Sequence, residues 1–247
     1  MKRALSWSRG ILLTMLVLLS AAWFFEEASQ WLLRYRTARL FGDFRGIAVN
    51  RSSSSEIQTL LRKWSPYGEA IKNCDGDPCH LSFLLPHRLP AVFHGNPEEG
   101  SWNLLPRLAD HLGLRNEGVG ISFTIEHGIV TRKSFGEVVA LPIEQWFARR
   151  GAYVPELNIW TGETVVFDEQ EELYVRPSHP FRVLHNQKGP YGVLVTFTPE
   201  ESLAEQEALM NFQFSCLTRL LPCLYEGDVL PESDRMLEEE QRGLSMR

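Results

Sequence analysis

The segment from Gly10 to Phe25 constrains this chain most, because it carries no charged side chain and is almost entirely apolar. A membrane-spanning helix needs about 20 such residues. Trp7 and Arg9 lengthen the segment at its start, since an arginine near a helix end can reach the interface. An uncleaved anchor and a cleaved signal peptide share this layout, whereas the basic N-terminus disfavours a buried helix of a soluble protein. Either membrane interpretation places the rest of the chain outside the cytoplasm.

Two features favour the anchor over the cleaved signal, for which Ser20 and Ala22 would be the small residues before the cut. Aromatic side chains follow at 23–25, where an interfacial belt would lie. The next stretch, EEASQWLLRYRTARLF, has no helix-breaking residue and can continue the same helix. We therefore predict a membrane anchor and helical stalk over 1–41, with a secreted or periplasmic protein as the alternative if the segment is cleaved.

The orientation prediction depends on the basic residues around the apolar segment. Three lie on each side: Lys2, Arg3 and Arg9 before it, and Arg34, Arg36 and Arg39 after it. Counting Lys and Arg alone therefore gives no preference, but the far side begins with two glutamates. We predict a single pass through the inner (cytoplasmic) membrane, with the N-terminus cytoplasmic and the C-terminal domain extracytoplasmic.

Four cysteines lie beyond the apolar segment in two local pairs, Cys74 with Cys79 and Cys216 with Cys223. Disulfides are typical of domains outside the cytoplasm, so we predict structural disulfides at these positions. A zinc site would favour the closer C-x2-C spacing, and a thioredoxin-like site needs C-x-x-C at a strand–helix junction. Metal binding and free or redox-active thiols remain alternatives, and four cysteines allow three disulfide connectivities.

The histidines near the first cysteine pair do not form a convincing metal site. Three of them recur every seven residues: His80, His87 and His94. Pro86 and Pro90 interrupt any helix that could bring them to one face. The Asp-Gly-Asp sequence at 75–77 lacks the later ligands of a calcium loop and is typical of a turn. No metal ligand is predicted.

The chain lacks the G-x-S-x-G, H-E-x-x-H, P-loop and G-x-G-x-x-G sequences. The glutamates at 169, 171 and 172 are typical of a solvated acidic loop. His127 and His179 have no nucleophile or orienting partner at motif spacing. We predict no catalytic residue and no cofactor, and the balance of these features disfavours an enzyme.

Charge is unevenly spread along the chain. The net charge is −6, and the stretch from Glu200 onward contains eleven acidic side chains and four arginines. Lys and Arg do not form the basic face with interleaved aromatics that nucleic-acid binders carry, so no nucleic-acid partner is predicted. From Glu226 the chain loses hydrophobic periodicity, and we predict an acidic mobile tail over 226–247.

Between the stalk and the tail, the sequence alternates in local pattern. FGDFRGIAV predicts a short strand or an entry segment, and the capping box Ser53–Glu56 starts a helix that Pro66 ends. That helix has an apolar stripe of Ile57, Leu60, Leu61 and Trp64. Further strands are predicted at HLSFLL, in a hairpin VGISFTIEHGIVTRKSF with its turn at 126–128, and at TVVF, ELYVRP, FRVLH and YGVLVTFT. A short helix is predicted at LLPRLADHLGL.

The last predicted helix lies in VTFTPEESLAEQEALMNF, with Thr198 as N-cap, Pro199 as first helical residue and Glu201 completing a capping box. Its predicted core-facing residues are Leu203, Leu209, Met210 and Phe214. Without regular β–α alternation, this order favours an α+β fold. We predict an N-terminal transmembrane helix followed by an antiparallel sheet packed with two or three helices, with the extracytoplasmic domain at 42–225.

Several stretches resemble a group of uncharacterised, single-pass bacterial envelope proteins: GDFRGI, SSSSEIQTLLRKWSPYG, the first cysteine pair, VTFTP and the terminal FSCLTRLLPC. The resemblance implies one N-terminal apolar helix and an envelope location, and it implies no activity. The unit at 44–85 is also similar to the small strand–helix–strand modules of outer-membrane assembly lipoproteins, but this chain has no lipidated cysteine.

Three functions are compatible with these features. The first is a non-catalytic binding or scaffolding protein of the cell envelope, whose partners are the lipid bilayer and an envelope protein or ligand. The second is a hydrolase-like envelope enzyme with a dispersed site, which a concave pocket holding a group of strongly shifted pKa would favour. The third is a thiol-redox protein, which needs an accessible low-pKa cysteine. An exposed sheet edge or apolar patch would favour the binding protein.

Overall fold

A computed structural model of the protein describes residues 2–86, 117–140, 156–165, 174–175, 182–186, 192–218, 223 and 226–245. The helices are α1 (Lys2–Arg45), α2 (Ser54–Trp64), α3 (Leu203–Leu209), α4 (Glu226–Val229) and α5 (Pro231–Ser245), with a 3₁₀ helix at Phe214–Thr218. The strands are β1 (Glu69–Asn73), β2 (Cys79–Pro86), β3 (Glu117–Glu126), β4 (Ile129–Ala140), β5 (Glu156–Thr164), β6 (Tyr174–Val175), β7 (Arg182–Asn186) and β8 (Gly192–Phe197). The predicted α+β class is confirmed.

All of these strands belong to one sheet, in the order β1-β2-β3-β4-β5-β8-β7-β6. Neighbouring strands pair antiparallel, except that β5 and β8 are parallel. After β5 the chain forms β6 and β7 at the far edge of the sheet. It then returns as β8, which lies between β7 and β5 and runs parallel to β5. The predicted antiparallel sheet is therefore correct except at this junction.

One face of the sheet carries the hydrophobic core, and the second half of α1 packs against it. The ring centroid of Phe44 lies 5.6 Å from that of Phe135 and 5.9 Å from that of Phe123. Phe41 lies 4.7 Å from Phe135, and Phe212, which follows α3, lies 4.9 Å from it. These centroid distances are typical of favourable aromatic contacts. The aromatic cluster joins the N-terminal helix, the middle of the sheet and the C-terminal segment.

α1 continues without a break from the apolar segment into this core. Its large apolar side chains between Ile11 and Phe25 are exposed, whereas Leu33, Leu40 and Phe44 are buried. By length and composition α1 could cross a membrane, and no second helix of that kind occurs in the described part of the chain. The same helix therefore provides both the candidate membrane span and a core element of the domain.

The contacts that follow α1 show which end of the sheet lies farthest from the apolar segment. The backbone N–H of Asn50 donates to the carbonyl of Val130 (2.8 Å), and that of Ser54 donates to the carbonyl of Gly128 (2.9 Å). α1 therefore runs along β4 towards the β3–β4 turn. At a rise of 1.5 Å per residue, its last residue lies about 30 Å beyond Phe25.

A buried ion pair fixes the chain where it leaves α1. Lys133 on β4 donates from Nζ to the carbonyl of Ile47, and its Nζ lies 3.0 Å from Oε2 of Glu163 on β5. Both side chains are less than a tenth exposed. The ammonium also lies 5.3 Å from the ring centroid of Phe44. Removal of either partner would leave an uncompensated buried charge, which is strongly destabilising.

Asp43 makes a second connection, between α1 and α2. Its carboxylate accepts hydrogen bonds from Nζ of Lys63 (2.6 Å) and from Nε1 of Trp64 (2.9 Å). Partial burial raises the pKa of the Asp43 carboxyl, but these two hydrogen bonds outweigh that effect and hold the pKa below its ordinary value. The contact locks the last turn of α2 against the last turn of α1.

Two glycines on the other face of the sheet allow a close approach of Trp160. Gly120, Gly136 and Trp160 lie side by side on β3, β4 and β5. A Cβ atom at Gly120 would lie 2.6 Å from the indole, and one at Gly136 would be closer still. Side chains at these positions would therefore displace Trp160 from the sheet.

Several predicted elements are confirmed. In α2 the backbone N–H of Ser53 donates to Oε2 of Glu56 (2.7 Å), as the capping box requires. The four residues of its predicted stripe are all buried. HLSFLL lies in β2, the hairpin comprises β3 and β4, and ELYVRP, FRVLH and YGVLVTFT contain β6, β7 and β8.

Three boundaries differ from the predictions. The strand predicted at FGDFRGIAV is wrong, because α1 continues to Arg45 and buries Phe44 in the core. The boundary predicted between 41 and 42 therefore falls inside a helix, and the 44–85 unit is not strand–helix–strand. The strand predicted at TVVF was placed too late, since β5 ends at Thr164. The helix predicted at LLPRLADHLGL lies outside the described residues.

The helix predicted from Thr198 begins later than expected. α3 has Ser202 as its N-cap, and Ser202 and Glu205 form the capping box. Thr198, Pro199 and Glu200 instead lead the chain away from β8, and the side chain of Gln206 donates to the carbonyl of Pro199 (3.3 Å). Two capping boxes overlap in this sequence, and the chain uses the second. As a result Leu203 is exposed, although Leu209 and Met210 are buried as predicted.

The segment predicted as an acidic mobile tail, 226–247, contains α4 and α5. Val229, the last residue of α4, and Leu230, which separates the two helices, are buried. Acidic residues in the first turn of α5 complement the helix dipole. On its surface, Arg235 pairs with Glu239 at i,i+4 (2.8 Å). The acidic composition therefore reflects a solvated helix surface.

Replacement of Phe44 by alanine should destabilise the whole domain, because it would leave a cavity between α1 and the sheet. A Phe→Ala substitution in a core costs about 3–5 kcal/mol. The free energy of unfolding can be measured by urea denaturation in detergent. Phe24→Ala is the matched control, since it removes the same side chain from the same helix at a position that is 73% exposed. Equal effects of the two substitutions would contradict the packing of α1 into the core.

Candidate functional site

A cleft lies at the end of the sheet farthest from the apolar segment, between the β1–β2 loop, the β3–β4 turn and the start of α2. Its volume is about 320 Å³. Apolar side chains of Leu81 and Ile125 line it together with Lys72, the pair Cys74–Cys79 and the turn residues. The lining thus combines apolar, basic, acidic and imidazole side chains.

The β3–β4 turn that borders the cleft is built from two residues with left-handed backbone. His127 has φ of 51° and Gly128 has φ of 82°. Two-residue hairpin loops with positive φ at both positions match the right-handed twist of the strands they join. The sequence prediction of a hairpin turn at 126–128 is confirmed, and it places the imidazole of His127 at the rim.

Asp77 ties the β1–β2 loop to this turn. Its carboxylate oxygens accept the backbone N–H of His127 at 3.1 and 3.2 Å, and Oδ2 also contacts Nδ1 of the ring. The sequence analysis treated 75–77 as turn residues only and missed this contact. Asp77 and His127 are fifty residues apart, so local sequence carries no signal for their approach.

The Asp77–His127 pair is open to solvent. The side chain of His127 is 92% exposed, so water competes for every contact of the ring. No described hydroxyl or thiol lies within hydrogen-bond distance of its imidazole, and a nucleophile–base pair requires that contact. The cleft therefore offers an apolar lining with a lysine and a polar rim, which suits binding.

Apart from His127, His80 is the one residue among these histidines and glutamates that the structure describes. His80 lies on the opposite face of the sheet, where its Nδ1 is 3.3 Å from Oγ1 of Thr124. His87, His94 and His179 lie outside the described residues, as do the glutamates at 169, 171 and 172. Within the described ranges, no three His, Cys, Asp or Glu side chains converge as a metal site would require.

The four cysteines form the two local pairs considered from the sequence. Cys74 pairs with Cys79 and closes the loop beside the cleft. Cys216 pairs with Cys223, and both residues are fully buried in the core. None of the four is a free thiol. The first pair shapes the site, whereas the second connects the 3₁₀ helix to the segment that precedes α4.

Glu137 is a second unusual feature, and it lies in the core of the domain. It sits on the core face of β4, two residues from Phe135, and its side chain has no exposed surface. Neither carboxyl oxygen has a hydrogen-bond partner among the described residues. Burial raises the pKa of this carboxyl well above its ordinary value. Folded protein therefore holds Glu137 in its neutral form to higher pH than the unfolded chain does.

The sequence analysis missed both Glu137 and Lys133, although a signal was present. Residues at 133, 135 and 137 alternate with 134 and 136, so in a strand they share the face of Phe135. Two charged residues share the strand face that carries the buried Phe135. This pattern indicates that β4 places ionisable groups in the core. The burial itself depends on α1, which the sequence analysis did not place against this strand.

No protein-family model matches this chain, and no curated protein or solved structure matches it significantly. Its function therefore has to be inferred from its own residues.

Replacement of Glu137 by glutamine should change how stability depends on pH. The unfolded chain releases this proton near the ordinary Glu pKa of about 4.3, whereas the folded chain keeps it to higher pH. The folded state then binds more protons, so wild-type stability is complete at low pH and falls as pH rises through the window between the two pKa values. The variant lacks this titrating group. As pH rises through that window, its free energy of unfolding should therefore increase relative to that of wild type by up to about 1.4 kcal/mol per pH unit.

Urea unfolding at a series of pH values between about 4 and 8 measures this difference. Glu126→Gln is the matched control, because Glu126 is an exposed residue at the end of β3, and its stability profile should run parallel to that of wild type. A parallel profile for Glu137→Gln as well would contradict the buried, neutral carboxyl.

Proposed function

We propose that this protein is a membrane-anchored, extracytoplasmic binding or scaffolding domain of the bacterial cell envelope. The observation that carries the proposal is the continuity of α1, whose exposed apolar half leads directly into a half that is buried in the core. An anchor built into the core holds the domain at a fixed height above the bilayer. A scaffold needs such a fixed position, whereas an enzyme acting on diffusing substrates does not.

An exposed sheet edge supports a binding role. Among the described strands β1 lies at the edge of the sheet and pairs only with β2, and all five of its residues are exposed. On its outer face, Ile71 is 57% exposed, and Leu84 on the neighbouring strand is 40% exposed. An unpaired strand edge with apolar side chains can accept an extended segment of a partner. Glu69 and Lys72 keep this edge polar enough to limit self-association.

The two alternative functions lack comparable support. The hydrolase-like enzyme would need a nucleophile next to the Asp77–His127 pair, and none of the described residues supplies one. The thiol-redox protein would need an accessible thiol, whereas all four cysteines are paired in the structure. The resemblance to single-pass envelope proteins agrees with the binding role and adds no activity to it.

The membrane anchor predicts that the chain keeps its N-terminus and remains in the membrane fraction after alkaline washing. Mass spectrometry of the intact purified protein should show the residues before Trp23, and thiol alkylation at lysis should modify none of the four cysteines. A soluble chain that begins near Trp23 would show instead that the apolar segment is a cleaved signal peptide.

The binding role predicts a contact at the β1 edge. A photo-cross-linking amino acid at Ile71 or Leu84, introduced in cells, should give the same discrete cross-linked species from both positions. Thr59, an exposed residue of α2, is the control position and should not give that species. The same pattern at all three positions, or no cross-link at the β1 edge, would contradict a partner site there.

A further inference from the structure

The surface of α1 just beyond the apolar segment carries an unusual set of exposed side chains, which we call the aromatic–arginine ladder: Trp31, Tyr35 and Arg39, with Arg34 beside them. The rings of Trp31 and Tyr35 stack with centroids 5.6 Å apart and planes 8° apart. Nη1 of Arg39 donates to the hydroxyl of Tyr35 (3.2 Å), and the guanidinium lies 5.7 Å from the centroid of its ring. Residues at this spacing of four lie on one face of a helix.

The ladder points away from the folded domain. Trp31 is 61% exposed and Tyr35 is 47% exposed, whereas Leu33 and Thr37, on the other side of the helix, are buried. Arg36 shows the contrast, since its guanidinium lies 4.6 Å from the ring centroid of Tyr67 in the domain. The ladder residues therefore contribute little to the packing of α1 on the sheet.

The length of the apolar segment places Trp31, the first residue of the ladder, next to the bilayer surface. Gly10–Phe25 contains 16 residues, which span about 24 Å in a helix, whereas the hydrocarbon layer is about 30 Å thick. The layer therefore reaches past one or both ends of the segment. Trp31 lies only about 9 Å beyond Phe25 along the helix, and Cα–Cβ bonds tilt towards the helix N-terminus. The indole and the arginine side chains thus lean towards the membrane.

The chemistry of the ladder fits anionic lipid headgroups. Trp and Tyr are enriched at the membrane interface, and arginines near the surface are attracted to anionic lipids over roughly one Debye length, about 8 Å. Glu27 is the exposed acid on this stretch, whereas Glu26 is half-buried and accepts a hydrogen bond from the side chain of Gln30 (3.0 Å). A second copy of α1 fits less well, because it would bring like-charged arginines together.

We propose that the aromatic–arginine ladder binds the headgroups of anionic phospholipids in the leaflet from which α1 emerges. This inference rests on the proposed membrane anchor. Contact with headgroups would fix the tilt of α1, and because the domain packs on α1, it would also fix the direction of the cleft and the β1 edge.

The full-length protein can be reconstituted into nanodiscs that contain both phosphatidylcholine and phosphatidylglycerol, and the lipids retained on it counted by native mass spectrometry. Wild type should retain phosphatidylglycerol preferentially. Arg34→Gln/Arg39→Gln should lower that preference by about fivefold or more, since each arginine near the surface contributes about that factor. Arg51→Gln/Arg62→Gln is the matched control, because it removes the same charge from exposed positions beyond the other end of the stalk and should leave the preference unchanged.

Quenching by brominated lipids gives a second measurement. The fluorescence of Trp31 is obtained as the difference between the tryptophan fluorescence of wild type and that of Trp31→Phe. Lipids brominated near the headgroup should quench it. An unchanged lipid preference in the ladder variant would overturn the proposal. So would a Trp31 that the headgroup-brominated lipids do not quench in nanodiscs that hold two copies of the protein, and that result would assign the ladder to contact with a partner helix. A protein that enters neither neutral nor anionic nanodiscs would instead overturn the membrane anchor itself.

Discussion

The packing of the second half of α1 against the sheet is the interaction on which the rest of the structure depends. Phe41 and Phe44 lie at the centre of the aromatic cluster with Phe135. Because the same helix carries the apolar segment, the packing that folds the domain also sets the direction in which that segment leaves it.

The two ionisable groups on the core face of β4 show how differently buried charges can be accommodated. Lys133 keeps its charge because Glu163 and the carbonyl of Ile47 surround its ammonium. Glu137, two positions beyond Phe135, has no such partner among the described residues, and burial raises the pKa of its carboxyl well above the ordinary value. A paired charge anchors the end of α1, whereas the unpaired acid makes the stability of the core depend on pH.

The features that the sequence predicted well are those determined by neighbours in the chain. The capping box at Ser53, the two-residue turn at His127 and Gly128, and the alternation in β2 each depend on a few consecutive residues. The missed features depend on distant contacts. α1 continues past residue 41 because Phe44 is buried by Phe123 and Phe135, and Asp77 meets His127 only after the hairpin has formed.

The two ends of the domain consequently present different chemistry. Near the apolar segment, α1 exposes stacked aromatic rings and arginines, which suit a lipid surface. Beyond the other end of α1, the disulfide loop, Lys72 and the Asp77–His127 pair line a cleft. A flexible linker would average the direction of this cleft over all orientations. An unbroken helix held by Phe44, Lys133 and Asp43 removes that freedom, so a partner would meet the cleft and the β1 edge at a defined height and in a defined orientation.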